Sequence, residues 1–145
     1  MTTLGKSFQT VVWAGIIANW SFVAWAMARP AALLERLELG PVNSTVWLFN
    51  YSVLLAILSC FYIPAAKDPF RYRVNAWLLI TARIVPASTF FVGVLTGFMP
   101  SGFLKLGIAD ATIGLTALML LRKLLAREAS FSPDPRAPGH QPASS

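Results

Sequence analysis

Two ionisable side chains lie well inside long apolar stretches of this sequence, Arg83 in the third stretch and Asp110 in the fourth. Placing a charge in the hydrocarbon of a bilayer costs at least about 2.5 kcal/mol, so such residues usually face the interior of a helical bundle. There a carboxyl group can carry a proton, bind a cation or a ligand, or hold two helices together by hydrogen bonds. Both residues are therefore candidate site residues, with a purely structural role as the alternative.

Helical spacing predicts that Asp110 faces a neighbouring helix and not lipid. The residues that share its face of the helix are small: Gly107, Ala111, Gly114 and Ala117. A similar row of mostly small residues recurs on the preceding stretch: Ala82, Pro86, Thr89, Gly93 and Gly97. Small residues let membrane helices approach closely. We therefore expect the two rows to face each other.

Further polar side chains fall near the predicted depth of Asp110. They are Asn19 on the first stretch, Asn50 on the second and Ser88 on the third. Together with Arg83 and Asp110 they predict a small polar ligand-binding pocket in the outer half of the bundle. An aromatic ring could also stack on a quinone or a lipid headgroup, Trp20 and Tyr51 being the candidates.

A direct ion pair between Arg83 and Asp110 is not expected from their positions along the helices. Each lies about seven residues after the start of its own stretch, and the two stretches run in opposite directions. At about 1.5 Å per residue in a core of about 30 Å, their backbones differ in depth by roughly 10 Å. Side chains lean toward the N-terminus of their own helix, so these two lean apart. Arg83 would then extend to the cytoplasmic interface beside Arg71 and Arg73.

Other chemistry is not indicated. The chain has one cysteine, Cys60, and one histidine, His140, which excludes thiol exchange between paired cysteines and ligation of haem by two histidines. Cys60 is expected to be a small buried apolar side chain. The sequence has no nucleophile–base pair, no nucleotide-binding loop and no cluster with metal-ligand spacing. We therefore predict no catalytic residue, no metal and no cofactor. An enzyme that uses Asp110 as a proton carrier is the alternative.

The composition predicts that lipid is the solvent for much of the chain. Of its 145 residues, 56% are hydrophobic and 12% are charged, against about 25% charged in an ordinary soluble domain. Four apolar stretches are long enough to cross a bilayer, which needs about 20 helical residues. They cover approximately residues 10–27, 45–66, 76–98 and 103–125. The expected fold is all-α, an antiparallel bundle of four transmembrane helices over residues 1–128, with a disordered cytoplasmic tail over 129–145.

The distribution of lysine and arginine predicts the orientation of the bundle. Eight of them fall on one side: Lys6, Lys67, Arg71, Arg73, Arg122, Lys123, Arg127 and Arg136. The other side has Arg29, Arg36 and Lys105. We expect both termini and the middle loop in the cytoplasm, and the bundle in a bacterial inner membrane. The net charge of +6 indicates contact with anionic lipid headgroups. It does not indicate nucleic-acid binding, because no separate basic soluble domain is present.

The loop after the first stretch is expected to contain a short helix within residues 29–41. Pro30 suits its first turn, and Gly40-Pro41 is predicted to stop it. Three leucines share one face of it: Leu33, Leu34 and Leu37. This face is expected either to lie on the membrane surface or to cover the bundle as a lid.

The middle loop carries three cations, Lys67, Arg71 and Arg73. We predict that they contact lipid headgroups, each contributing about 1 kcal/mol near anionic lipid. Contact with a phosphate-bearing ligand or a partner protein is the alternative.

The chain resembles the small four-helix bacterial inner-membrane proteins of the DoxX-like type, many of them uncharacterised. The features that carry the resemblance are the four-span plan over residues 10–125, the segment Ala65-Ala66-Lys67-Asp68-Pro69, and Arg83 early in the third stretch. The resemblance implies a role as an accessory subunit of a membrane redox system, and it assigns no catalytic residue.

The sequence therefore favours a non-catalytic integral membrane subunit or accessory protein of a redox or envelope complex. Its expected partners are membrane lipids and other subunits. The alternative is a small transporter, or a quinone- or lipid-binding membrane protein, that uses a polar pocket at Asp110.

Overall fold

Five helices make up residues 3–39 and 45–131, the parts of the chain that the computed structural model describes. In chain order they are α1 (Thr3–Ala28), α2 (Pro30–Leu37), α3 (Val46–Lys67), α4 (Arg73–Leu95) and α5 (Phe103–Phe131). Helices α1, α3, α4 and α5 are each long and apolar enough to cross a membrane. The predicted all-α bundle of four long helices is confirmed.

The four long helices close into a ring. Helix α1 packs against α3 and α5, and α4 packs against the same two helices from the opposite corner. The turn between α4 and α5 is short, and Gly97 adopts a φ of 73° there, a left-handed conformation that glycine adopts without steric cost. The backbone N–H of Met99 donates to the carbonyl of Gly93 at 2.9 Å. This turn makes α4 and α5 antiparallel neighbours.

The small-residue face of α5 packs closely on α4, as predicted. A Cβ atom added at Gly114 would lie 2.9 Å from the Cβ of Arg83, and one at Gly107 would lie 3.4 Å from the Cβ of Phe90. The predicted partner row on α4 is wrong, because Thr89 and Gly97 are exposed. Close approach needs a small residue on one helix only, so larger side chains of α4 fit over the glycines of α5.

Two apolar clusters lie at opposite ends of the bundle. The larger is formed by Phe8, Val12, Ile16, Tyr62, Ala65, Ala66, Ala76, Leu79, Ile80, Ala117, Leu121 and Leu124. The smaller is formed by Ala26, Leu33, Leu34, Leu39 and Leu48. Buried polar side chains lie along the helices between the two clusters, so the middle of the bundle is the least apolar part of its interior.

Helix α2 covers one end of the bundle, which is the lid arrangement and not the membrane-surface one. Leu33 and Leu34 are buried in the smaller cluster. The helix ends at Leu37, and Glu38 follows in the left-handed conformation with φ 55°. It therefore ends before the predicted stop at Gly40-Pro41, two residues that lie outside the described ranges. A Cβ atom added at Gly102 would lie 1.9 Å from the carbonyl oxygen of Leu37, so the lid rests directly on the start of α5.

The helices extend beyond the predicted spans. Helix α1 begins at Thr3 and not near residue 10, and α5 continues to Phe131 and not to residue 125. Hydropathy detects the part of a helix that suits hydrocarbon, whereas backbone hydrogen bonding continues into the polar headgroup region. The first three residues of the predicted tail, 129–131, belong to α5, and its remainder lies outside the described residues.

Candidate functional site

Arg83 lies at the centre of the bundle and joins three helices. Its side chain extends from α4, and the residue is only 6% exposed. One terminal nitrogen, Nη1, donates to Oδ1 of Asp110 on α5. The other, Nη2, donates to the carbonyl oxygen of Gly15 on α1 at 2.9 Å and to Oδ1 of Asn19. A buried guanidinium is thus matched by one carboxylate and two neutral acceptors.

This direct ion pair corrects the sequence-based prediction, which kept Arg83 and Asp110 apart. Depth had been counted from the predicted ends of two spans, whereas the close contact at Gly114 fixes the register of α4 against α5. Gly114 is level with Arg83, so Asp110 is displaced by four residues, or roughly 6 Å along the axis. An extended arginine side chain covers that offset. Arg83 therefore extends into the bundle and not to the interface beside Arg71 and Arg73.

Asn19 extends the polar network to α3. Its side-chain amide accepts from Arg83 through Oδ1 and donates through Nδ2 to Oγ of Ser59 at 2.9 Å. The Ser59 hydroxyl in turn donates to the carbonyl of Leu55 at 2.7 Å. All four long helices are therefore connected by one chain of hydrogen bonds. Asn19 was predicted; Ser59 was not, although a serine within an apolar stretch is a signal that could have found it.

The ion pair lines a cavity of about 200 Å³, called here the polar cavity. Its other lining residues are Ala18, Asn19, Phe22, Tyr51, Leu55, Leu106, Ala109 and Ile113. A cavity of about 150 Å³ can hold benzene, so this volume suits a headgroup the size of a single ring. Of the residues that line it, Arg83 and Asp110 carry charge, and the two charges are opposite.

A second cavity of about 220 Å³ adjoins the first and is called here the aromatic chamber. It is lined by Phe22, Leu39, Trp47, Tyr51, Phe90, Phe103 and Leu106. Phe22, Tyr51 and Leu106 line both cavities. The rings of Phe22 and Tyr51 meet edge to face with their centroids 5.9 Å apart. Leu39, which follows the lid helix α2, is one of the residues that enclose the chamber.

Two predicted pocket residues are not brought to the polar cavity. Asn50 is exposed on α3, while its neighbour Tyr51 lines the cavity. Ser88 is also exposed, and its hydroxyl donates to the carbonyl of Ile84 on its own helix at 2.9 Å. The prediction used the depth of both residues along their helices. Their positions around the helix axis instead direct both side chains outward. Trp20 is likewise 46% exposed on the surface of α1.

The three predicted headgroup contacts lie together at the end of the bundle opposite α2. Lys67, Arg71 and Arg73 are exposed. Arg73 pairs with Glu128 at the end of α5 at 2.5 Å. Gln9, near the start of α1, donates to the carbonyl of Lys67 at 2.9 Å. The first turns of α1, the α3–α4 connection and the last turns of α5 therefore share one end of the bundle.

Metal-ligating side chains are not gathered in the described part of the chain, where no group of three His, Cys, Asp or Glu residues could hold an ion. Cys60 is exposed on α3, which corrects the expectation that it is buried. A thiol is apolar enough to face lipid. His140 lies outside the described residues.

Comparison of the chain with protein-family models, with curated proteins and with solved structures finds no match. The Arg83–Asp110 pair and the two cavities beside it are therefore the features from which a function can be inferred. The resemblance to DoxX-like proteins stays a prediction from the sequence.

Proposed function

We propose that this protein binds a small amphiphile of the membrane, such as a quinone or a lipid, in the polar cavity beside Arg83 and Asp110. The observation that carries the proposal is the position of a buried ion pair against a cavity at the middle of the bundle. A pair with a purely structural role would be expected to be enclosed by packed side chains.

Stability alone gives little reason for such a pair. Removing two charges from water costs several kcal/mol per ion, and replacing a buried pair with apolar residues of similar volume is often neutral or stabilising by about 1–4 kcal/mol. Arg83 and Asp110 have side chains only 8% and 14% exposed, so they carry that desolvation cost. Ionisable residues within a membrane bundle are functional candidates for this reason.

The lining of the two cavities indicates the kind of ligand. The polar cavity offers a guanidinium, a carboxylate and an amide, while the aromatic chamber offers apolar and aromatic surface. Because Phe22, Tyr51 and Leu106 belong to both, a single ligand can contact both. A polar head beside Arg83 with its apolar part in the aromatic chamber fits this arrangement, as small-molecule sites combine apolar walls with a few placed polar groups.

Identification of molecules that remain bound after purification tests the proposal. The protein would be transferred from its native membrane to nanodiscs, and extracted small molecules would be compared with the surrounding lipid by mass spectrometry. We expect one amphiphile to be enriched by at least about tenfold over its share of the lipid, which corresponds to about 1.4 kcal/mol of preference. The enrichment should vanish in the double variant Arg83→Met/Asp110→Leu.

Thr112→Val is the matched control on α5. Thr112 is exposed and donates only to the carbonyl of Ile108 on its own helix, at 2.7 Å, so its replacement should preserve the enrichment. Equal recovery of every lipid from the native protein, or full enrichment in the double variant, would contradict the proposal.

A non-catalytic accessory role in a redox or envelope complex is the second candidate. The resemblance to DoxX-like proteins supports it, and so does Trp20, which is 46% exposed along the length of α1 and not at its end. Tryptophan is enriched at membrane interfaces, so an exposed indole further inside suits a contact with a partner helix. This role would be supported by subunits that co-purify with the native protein and with the control variant Ile17→Leu, but not with Trp20→Leu.

For orientation we propose a bacterial inner membrane with both termini in the cytoplasm. Support comes from the exposed cations Lys67, Arg71 and Arg73 at the end of the bundle that also holds the start of α1 and the end of α5. Loops rich in lysine and arginine are retained on the cytoplasmic side.

A further inference from the structure

The polar cavity opens sideways between α1 and α5. Ala18 of α1 and Ala109 of α5 both line it, and both are exposed on the outer surface of the bundle. One turn away the two helices are in close contact, since a Cβ atom at Gly15 would lie 3.3 Å from Cγ2 of Ile113. The two alanine methyl groups therefore flank a gap beside this close contact, which is called here the lateral opening.

The lateral opening faces hydrocarbon and not the headgroups. Ala18 lies ten residues before the end of α1 at Ala28, and Ala109 lies six residues after the start of α5 at Phe103. These separations correspond to roughly 15 Å and 9 Å along the helices. In a hydrocarbon core of about 30 Å, a gap at this depth is bordered by acyl chains.

The charge inside the cavity restricts the head that can occupy it. Arg83 and Asp110 form a pair with no net charge, and they are adjacent through Nη1 and Oδ1. A charged head would be attracted by one partner and repelled by the other, and it would also lose its hydration. A neutral head needs only hydrogen bonds, which the guanidinium, the carboxylate and the Tyr51 hydroxyl can donate or accept.

We propose that the polar cavity takes the uncharged, hydrogen-bonding head of a neutral amphiphile, and that this ligand arrives directly from the lipid through the lateral opening. The inference rests on the proposed function and adds the charge class of the ligand and its route. It predicts that binding depends on the concentration of the amphiphile in the bilayer, and that a bulky side chain at the opening prevents it.

Three amphiphiles with the same ten-carbon chain separate the charge classes. Monodecanoylglycerol is neutral, decyl phosphate is anionic and decylamine is cationic. Each would be added to the full-length protein in nanodiscs, and binding would be read from the shift in the midpoint of thermal unfolding, since a ligand that binds the folded state stabilises it. We expect monodecanoylglycerol to raise the midpoint at concentrations about tenfold lower than either charged probe.

Ala18→Phe and Ala109→Phe test the route. Each places a ring in the lateral opening at an exposed position, so the fold should tolerate it, and the response to monodecanoylglycerol should be lost. Ala24→Phe is the control, because Ala24 is exposed on the same helix and lines neither cavity. It should respond as the native protein does.

The outcomes separate this inference from the proposed function. Preference for a charged probe that is abolished by Ala18→Phe would overturn the neutral-head inference and leave the cavity as a binding site. Undiminished binding of monodecanoylglycerol in both phenylalanine variants would overturn the lateral route. An unchanged midpoint with all three probes, together with no enriched molecule in the native protein, would overturn the proposed function itself.

Discussion

A methyl group added at Gly114 of α5 would lie 2.9 Å from the Cβ atom of Arg83 on α4. Gly114 thus sets how closely α5 approaches the base of the arginine side chain. That closeness places Asp110, one turn nearer the lid, within reach of the guanidinium. The central ion pair depends on a glycine that itself carries no polar group.

The first prediction concerns this approach. Gly114→Ala should force α4 and α5 apart and lower the free energy of unfolding by about 1–3 kcal/mol, the usual cost of overpacking. Gly107→Ala on the same face is the control, because a Cβ there would meet Phe90 at an ordinary 3.4 Å. It should be neutral or stabilising by about 0.5–1 kcal/mol, the helix-propensity gain of alanine over glycine. Denaturation in detergent measures both, and equal stability of the two variants would contradict the close approach of α4 and α5 at Gly114.

The second prediction is that Asp110→Asn is strongly destabilising. The substitution leaves the Arg83 guanidinium, which is 8% exposed, without an opposing charge, and removing one partner of a buried pair costs about 3–5 kcal/mol. The double variant Arg83→Met/Asp110→Leu should recover most of that loss, because it removes both charges. Unfolding measurements on Arg83→Met, Asp110→Leu and the double variant give the coupling energy between the two side chains. Additive effects would show that the ion pair does not form in the membrane.

The third prediction concerns the lid. Gly102→Ala places a methyl group 1.9 Å from the backbone oxygen of Leu37, and a backbone atom cannot rotate away. The variant should displace α2 and lose about 1–3 kcal/mol. Ser101→Ala, at the exposed neighbouring position, should change stability by less than about 0.5 kcal/mol. Faster proteolysis of the α2 region in Gly102→Ala alone would support the contact, while native resistance would contradict it.

The fourth prediction is the topology. Reporter fusions after Ser145 and in the loop at Asp68 should both report cytoplasm, and a fusion at Glu38 should report the outer face. Retention of cationic loops on the cytoplasmic side is the physical reason. The exposed ion pair Arg73–Glu128 requires that the middle loop and the end of α5 lie on the same side. Opposite signals from the fusions at Asp68 and Ser145 would contradict that arrangement.

Much of the fold could be predicted because apolar length and charge placement act locally along the chain. The four long helices, the short helix after Pro30 and the interior position of Asp110 all follow from spacing and composition. The lid role of α2 was one of two alternatives, because three leucines on one face can rest on lipid or on protein with similar burial.

The site was harder to predict, because it depends on register and rotation between helices. Counting residues from the predicted span ends separated Arg83 from Asp110, whereas the contact at Gly114 sets their true offset. Asn50 was expected in the pocket because it is polar, and Tyr51 only as a ring that could stack on a ligand. A rotation of about 100° between consecutive helical residues decides which of the two faces inward. Neither the register between two helices nor the rotation of a helix about its axis is encoded in the hydropathy of a single helix.

Quenching of Trp47 fluorescence by a brominated amphiphile would show whether a ligand occupies these cavities. Trp47 lines the aromatic chamber, and the other four tryptophans would be replaced by phenylalanine. A matched protein would retain only Trp77, which is 42% exposed on α4 and lines neither cavity. Brominated monodecanoylglycerol in nanodiscs should quench Trp47 saturably, and Arg83→Met/Asp110→Leu should abolish the saturation. Quenching of Trp47 that rises in proportion to the added amphiphile, as expected for Trp77, would contradict a binding site in these cavities.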